Sequence, residues 1–150
     1  QAEQVVFAAR YPPHGGRSEG VSGAGVYGPT YRSCANDEIL VAIQLESAQA
    51  IANADAIMSV EGVDACWLGP NDLANSIGYA RDTSEHDAAV NTMIAACKNH
   101  GKAAGIMGGN IAQVERWVEA GCTFITAGSD KIYLTTGATT EFEALVQARG

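Results

Sequence analysis

The stretch Ile39-Leu40-Val41-Ala42-Ile43-Gln44-Leu45-Glu46 is a near-continuous apolar run of strand length that ends in a carboxylate. Side chains alternate along a strand. Val41, Ile43 and Leu45 therefore share one face and suit packing against helices, while Ala42, Gln44 and Glu46 share the other. Three later stretches resemble it: DACWLG at 64–69, AAGIMG at 103–108 and TFITAG at 123–128. Helical segments lie between them. AQAIANADAIMSV (48–60) ends before Glu61-Gly62, EHDAAVNTMIAACKNH (85–100) ends at Gly101, and IAQVERWVEA (111–120) ends at Gly121, a residue suited to the left-handed turn after a helix. Asn110 is placed to cap that third helix, with Gln113 three residues on. The last helix, EFEALVQAR (141–149), is expected to start after Thr140, which forms a capping box with Glu143.

Upstream, QAEQVVFAARY (1–11) reads as the end of a helix stopped by Pro12 and Pro13. The loop HGGRSEGVSGAGVYGPT (14–30) carries six glycines, and a short helix fits Tyr31–Asp37. The order is thus helix, loop, then strand–helix four times. One α/β domain over 1–150 follows, with residues 1–38 as helix end plus glycine-rich loop and 39–150 as four βα units. Such alternation implies a parallel sheet with right-handed crossovers. A doubly wound sheet and half of an eight-stranded barrel both fit. No GxGxxG or GxxxxGK[ST] motif follows a strand, which removes support for nucleotide binding.

Composition narrows the partners. The chain is 47% hydrophobic and 17% charged, with 9 basic against 17 acidic side chains and a net charge of −8. It is expected to repel nucleic acid and anionic membrane surfaces. No apolar run approaches the roughly 20 residues that span a bilayer, and the sequence opens with no signal-peptide pattern. Cys34, Cys66, Cys97 and Cys122 form no CxxC pair and have no histidine at metal-ligand spacing. Free buried thiols are expected, and with them a reducing cytoplasm.

In α/β proteins of either kind, function gathers at the carboxyl ends of the strands. Glu46 stands at the first such end and Asp72 follows the second, in Gly69-Pro70-Asn71-Asp72-Leu73. If those strands are neighbours, the two carboxylates project into one mouth. Oxygen donors without His or Cys suit a hard divalent ion such as Mg²⁺ or Mn²⁺, with positions left for substrate and water. The plainer reading is also open: Asp72 caps its turn and Glu46 pairs with an arginine.

Six stretches carry a family resemblance: ARYPPHGGRSEG (9–20), QLES (44–47), VEGVDACWLGPNDLA (60–74), GPNDLANSIGY (69–79), HGKAAGI (100–106) and TFITAGSD (123–130). Together they resemble the metal-dependent (class II) pyruvate aldolases, of the hydroxy-oxo-heptanedioate and 2-dehydro-3-deoxy-glucarate type, in the aldolase/citrate lyase family. The resemblance implies a (β/α)8 barrel of which this chain carries the C-terminal half, strands five to eight. It implies a divalent metal (Mg²⁺ or Mn²⁺, with Co²⁺ as a third choice) held by Glu46 and Asp72, with Gln44 lining the substrate site. Backbone N–H groups at Asn71 and Asp72 would receive the pyruvate carboxylate, as turn amides ahead of a helix do for anions. The implied reaction is aldol cleavage or condensation of 4-hydroxy-2-oxo acids, giving pyruvate plus an aldehyde through a metal-stabilised pyruvate enolate. A homo-oligomer, hexameric by resemblance, is also implied.

The family's general-base histidine and its arginine on the 2-oxo oxygen belong to the early strands and have no counterpart here. No catalytic residue is therefore assigned in this chain. Two alternatives remain: a citramalyl- or malyl-CoA lyase-like enzyme using the same carboxylates, and a non-catalytic incomplete barrel serving binding or assembly.

Other residues read as structural. His14 is expected in a solvated loop, His86 in a first helical turn, and His100 in a last turn, where it favours the helix dipole. Trp67, Trp117 and Met107 read as packing residues. Gly108 and Gly109 read as a turn into the next helix, or as a place where a ligand nears the backbone. Asp130 is a third, weaker candidate acid, to which the family resemblance gives a turn or interface role outside the metal shell. Arg10 and Arg17 flank the glycine loop and are expected to border the mouth or a neighbouring subunit.

Overall fold

The four apolar stretches form β1 (Ala42–Leu45), β2 (Ala65–Leu68), β3 (Ala103–Gly108) and β4 (Phe124–Ala127) in a computed structural model that describes residues 1–20 and 24–149. They pair in parallel in the order β1-β2-β3-β4. That order lacks the reversal of a doubly wound sheet and follows the run of a barrel wall. Helices make the crossovers: α3 (Ala48–Ala52) and α4 (Ala54–Met58), then α5 (Pro70–Ile77) and α6 (Ser84–Asn99), then α7 (Ile111–Ala120). Ahead of β1 stand α1 (Ala2–Ala9) and α2 (Tyr31–Glu38), and α8 (Asp130–Gln147) follows β4. The centre of the glycine loop, 21–23, lies outside the described residues.

Register decides which face is core. Leu45 pairs with Leu68 and Leu68 with Ile106, and all three are essentially fully buried. Cys66 and Ala104 share their face. Against it α6 packs Val90, Met93, Ile94 and Cys97, spaced three and four apart as one helical stripe, and α7 adds Trp117. Each fully buried aliphatic side chain contributes roughly 1.5–3 kcal/mol. The alternation expected of β1 holds, since Ala42 and Gln44 are exposed on the opposite side. There Trp67 meets Phe124 edge-on, centroids 5.0 Å apart. Gly105 lies between them in register, and a Cβ on it would sit 2.8 Å from the Trp67 ring.

Three expectations change. The helix over 48–60 breaks at Asn53, whose side-chain amide donates to the Gln49 carbonyl at 2.7 Å, a bond that competes with the helical ladder. The last helix begins eleven residues early. Ser129 caps it by accepting from the Ile132 N–H, Asp130 supplies the acid of its first turn, and Thr140 is interior. Arg10 does not border the mouth. It is buried at the amino ends of the strands, paired to Asp64 at 3.1 Å, while Asp64 also accepts the Val41 N–H at 2.7 Å. Arg17 donates to the Tyr31 hydroxyl and lies over the Tyr11 ring, which ties the glycine loop to α2 and to the segment just after α1.

Other expectations hold. All four cysteines are free, with Cys66, Cys97 and Cys122 buried. Asn110 caps α7 by accepting from the Gln113 N–H at 3.0 Å, and Gly121 ends it in the left-handed region at φ 113°. Among the described residues no helix is long and apolar enough to cross a membrane.

Candidate active site at the carboxyl ends of β1 and β2

Glu46 directly follows β1, half-buried, and Gln44 precedes it by one strand period on the same face. The Gln44 amide donates to Glu46 Oε2 at 2.6 Å. This bond orients the carboxylate, and both groups rest on Gly69, where a Cβ would fall 2.7 Å from Glu46 Oε2 and 3.2 Å from Gln44 Nε2. Glycine at 69 is thus the condition for the carboxylate to lie over the end of β2.

Gly69 is also the N-cap of α5. Pro70 takes the first helical position, where its missing N–H costs nothing, and Asn71 and Asp72 complete the turn. The Leu73 N–H bonds back to the Gly69 carbonyl, which leaves the Asn71 and Asp72 amides as the open donors of the turn. Leu73, fully buried, pins the helix to the core, so Asn71 and Asp72 stay exposed on its outer side. His86 holds the same turn from beneath. It is buried, and its Nε2–H donates to the Pro70 carbonyl at 3.1 Å. The start of α3, after β1, meets the end of α5, after β2, where the Ala48 N–H donates to Ser76 Oγ at 3.0 Å.

The structure therefore brings Gln44 and Glu46 together and sets them at the head of the helix that carries Asn71 and Asp72. Among the described residues the Asp72 carboxylate makes no ion pair, and none gather as three or more His, Cys, Asp or Glu able to hold an ion. Any metal here would rest on the Glu46–Asp72 pair, an all-oxygen donor set suited to a hard divalent ion. The arginine partner considered for Glu46 is absent among those residues.

Two residues at this end escape the sequence reading. His86 gives only a helix-start signal, and its contact with Pro70 depends on how α6 packs under α5. Arg81 sits in the connection between these helices, where no periodicity marks it. Its guanidinium donates to Asn71 Oδ1 at 3.2 Å and Gln113 Oε1 at 3.4 Å, bridging the ends of β2 and β3. Gly109 follows β3 and donates its N–H to the same Gln113 oxygen at 2.9 Å, so it serves the turn into α7. His14 is exposed, and His100 Nε2 bonds Asp55 at 3.0 Å, which ties α6 to α4.

Residues 1–136 match the HpcH/HpaI aldolase/citrate lyase family. The 5-keto-4-deoxy-D-glucarate aldolase of Klebsiella pneumoniae is 39% identical over 135 residues, which cover 87% of this chain and 53% of that protein. The Escherichia coli protein of the same name is 38% identical over the same spans. The chain thus spans about half the length of the curated relatives it matches. Among solved structures, an aldolase/citrate lyase family protein from Burkholderia cenocepacia superposes with a TM-score of 0.82 at 32% identity, covering 97% of this chain and 59% of that one. An HpcH/HpaI aldolase from Desulfitobacterium hafniense gives 0.80 at 29%, covering 93% and 57%. The motif resemblance, the in-order parallel sheet and these matches agree, and the chain belongs to the HpcH/HpaI aldolase/citrate lyase family.

Proposed function

We propose that the protein containing this chain is a carbon–carbon lyase that cleaves 4-hydroxy-2-oxo acids to pyruvate and an aldehyde, or joins the two in reverse. Residues 1–150 would form one domain-sized piece, the C-terminal half of a (β/α)8 barrel, and the barrel would assemble as a homo-oligomer. The observation that carries this reading is the Glu46 carboxylate, oriented by Gln44 and resting on Gly69 at the head of the turn that bears Asn71 and Asp72.

Each residue then has a task. Glu46 and Asp72 would hold a divalent ion, Mg²⁺ or Mn²⁺, which would supply Lewis-acid stabilisation of negative charge on a 2-oxo oxygen. Gln44 keeps the Glu46 carboxylate aimed and takes up one of its oxygens. The open amides of Asn71 and Asp72 receive the substrate's 1-carboxylate, aided by the positive end of the helix. The bond that breaks lies between C3 and C4: the 4-hydroxyl gives its proton to a base and becomes the aldehyde carbonyl, while the electron pair stays on C3 of the pyruvate fragment, which then takes up a proton. The substrate named for the relatives, 5-keto-4-deoxy-D-glucarate, is the first to assay. The test follows pyruvate release from it with Mg²⁺ or Mn²⁺ in the full-length protein, before and after chelation. Release that persists undiminished after chelation would remove the metal from the mechanism. No release from any 4-hydroxy-2-oxo acid would remove the lyase.

A further inference from the structure

We infer that Arg81 reads the far end of the substrate and selects 4-hydroxy-2-oxo acids that carry a second carboxylate. The inference rests on the lyase reading above and goes beyond it by assigning a specificity residue.

Arg81 has the placement. Its guanidinium is held between the turn that starts α5 and the turn that starts α7, both at the carboxyl ends of the sheet. Asn71 links it to the site, because the backbone amide of Asn71 is proposed to bind one carboxylate while its side-chain oxygen fixes Arg81. Gln113 clamps the other side. It is itself fixed, accepting from the Gly109 N–H at 2.9 Å and donating to Asp82 at 2.9 and 3.2 Å. Arg81 is half-buried between these two turns, so part of it stays open to solvent.

Arg81 also has unspent chemistry. A guanidinium carries five N–H donors, and the two contacts of Arg81 are long and go to neutral amide oxygens. Among the described residues it has no carboxylate within salt-bridge distance, whereas nearby Arg116 is neutralised by Asp82 at 2.8 Å and Asp87 at 3.0 Å. In a chain of net charge −8 a doubly anionic substrate needs a local cation. A planar fork pre-positioned by two amides is matched to a carboxylate, and bidentate pairing gives it selectivity over a hydroxyl.

The opposing account is that Arg81 only ties two loops together. Such a tie would affect all substrates alike, so the measurement is a ratio: kcat/KM for a 4-hydroxy-2-oxo acid ending in carboxylate, divided by that for its counterpart ending in hydroxymethyl. A ratio cancels differences in the amount of folded enzyme. In the full-length protein with Mn²⁺, the wild-type ratio should exceed ten, and Arg81→Gln should lower it about tenfold or more, chiefly through KM. Arg81→Lys should retain part of the preference, since it keeps the charge and loses the fork. An unchanged ratio in Arg81→Gln, or a wild-type ratio near one, overturns the inference while leaving the lyase intact. Deuterium exchange into the pyruvate methyl group separates the two failures. Exchange together with cleavage of both acids at an unchanged ratio overturns the specificity assignment alone, and absence of both exchange and cleavage overturns the lyase reading and this inference with it.

Discussion

Glu46 and Gln44 are legible in the sequence itself, because a period of two along an apolar strand leaves their side of it to polar groups. Gly69 is not, since nothing in its neighbours says that a carboxylate from another strand will rest on it. Their contact yields two predictions. Glu46→Gln removes a charge without removing volume, so Mn²⁺ affinity measured by calorimetry should fall at least about tenfold. Stability by urea titration should move by less than about 1 kcal/mol, because the residue is only half-buried. Equal Mn²⁺ binding in that variant would make the residue structural. Gly69→Ala works from the other side. Its φ of −86° accepts any residue, so the strain is confined to the side chains, and the new Cβ at 2.7 Å displaces the Glu46 carboxylate. Metal affinity should drop with little loss of stability, and a variant that melts early yet binds Mn²⁺ normally would contradict this account.

Elements are legible in proportion to how local their signals are. The three later strands and α7 match their sequence patterns nearly to the residue, since apolar runs, Asn110 and Gly121 carry their own boundaries. The 48–60 helix splits because Asn53 prefers its own hydrogen bond, and α8 starts early because the Ser129 cap outweighs the poor helix formers that follow it. The role of α5 is hidden for a different reason: its place depends on Leu73 and His86, which are tertiary contacts. Leu73→Ala should therefore cost about 2–5 kcal/mol of unfolding free energy. The same variant should weaken Mn²⁺ binding, because the helix that carries Asp72 loses its anchor in the core. Normal binding in a destabilised Leu73→Ala protein would show that α5 is positioned by its loops instead. Cysteine burial sets the alkaline limit of this core. Burial pushes the Cys122 thiol from its ordinary 9.0 up to about 11, whereas Cys66 and Cys97, hydrogen-bonded to each other, shift in opposite directions, up and down. An unfolded chain releases the Cys122 proton near pH 9 while the folded chain keeps it. Stability should thus decline as pH rises from about 9 towards 11, and Cys122→Ala should flatten that decline. A urea midpoint constant from pH 8 to 10.5 would contradict it.

At the scale of the whole chain, four strands in order bury one face of the sheet and leave the other open. Trp67 is half-exposed there and Met107 and Phe124 are exposed, while α8 buries none of its residues. The βα alternation announces the sheet, but which surfaces remain uncovered depends on what packs against them, and no local pattern states that. Residues 1–150 by themselves are expected to self-associate through these apolar surfaces, giving species heavier than the 15.6 kDa monomer in sedimentation. They are also expected to be catalytically silent. Proton transfer needs a base within reach of the reacting atoms. His14 is solvated beside the Pro12-Pro13 turn, His100 is bonded to Asp55, and His86 is buried with Nε2 committed to the Pro70 carbonyl. Glu46 and Asp72, in the role proposed for them, would hold an ion, and an ion polarises a substrate without moving its proton. The assay is pyruvate release from a 4-hydroxy-2-oxo acid with Mg²⁺ or Mn²⁺, on a preparation whose mass shows these residues alone. Turnover matching that of a full-length relative would place a working base among these 150 residues and refute the structural role given to every histidine.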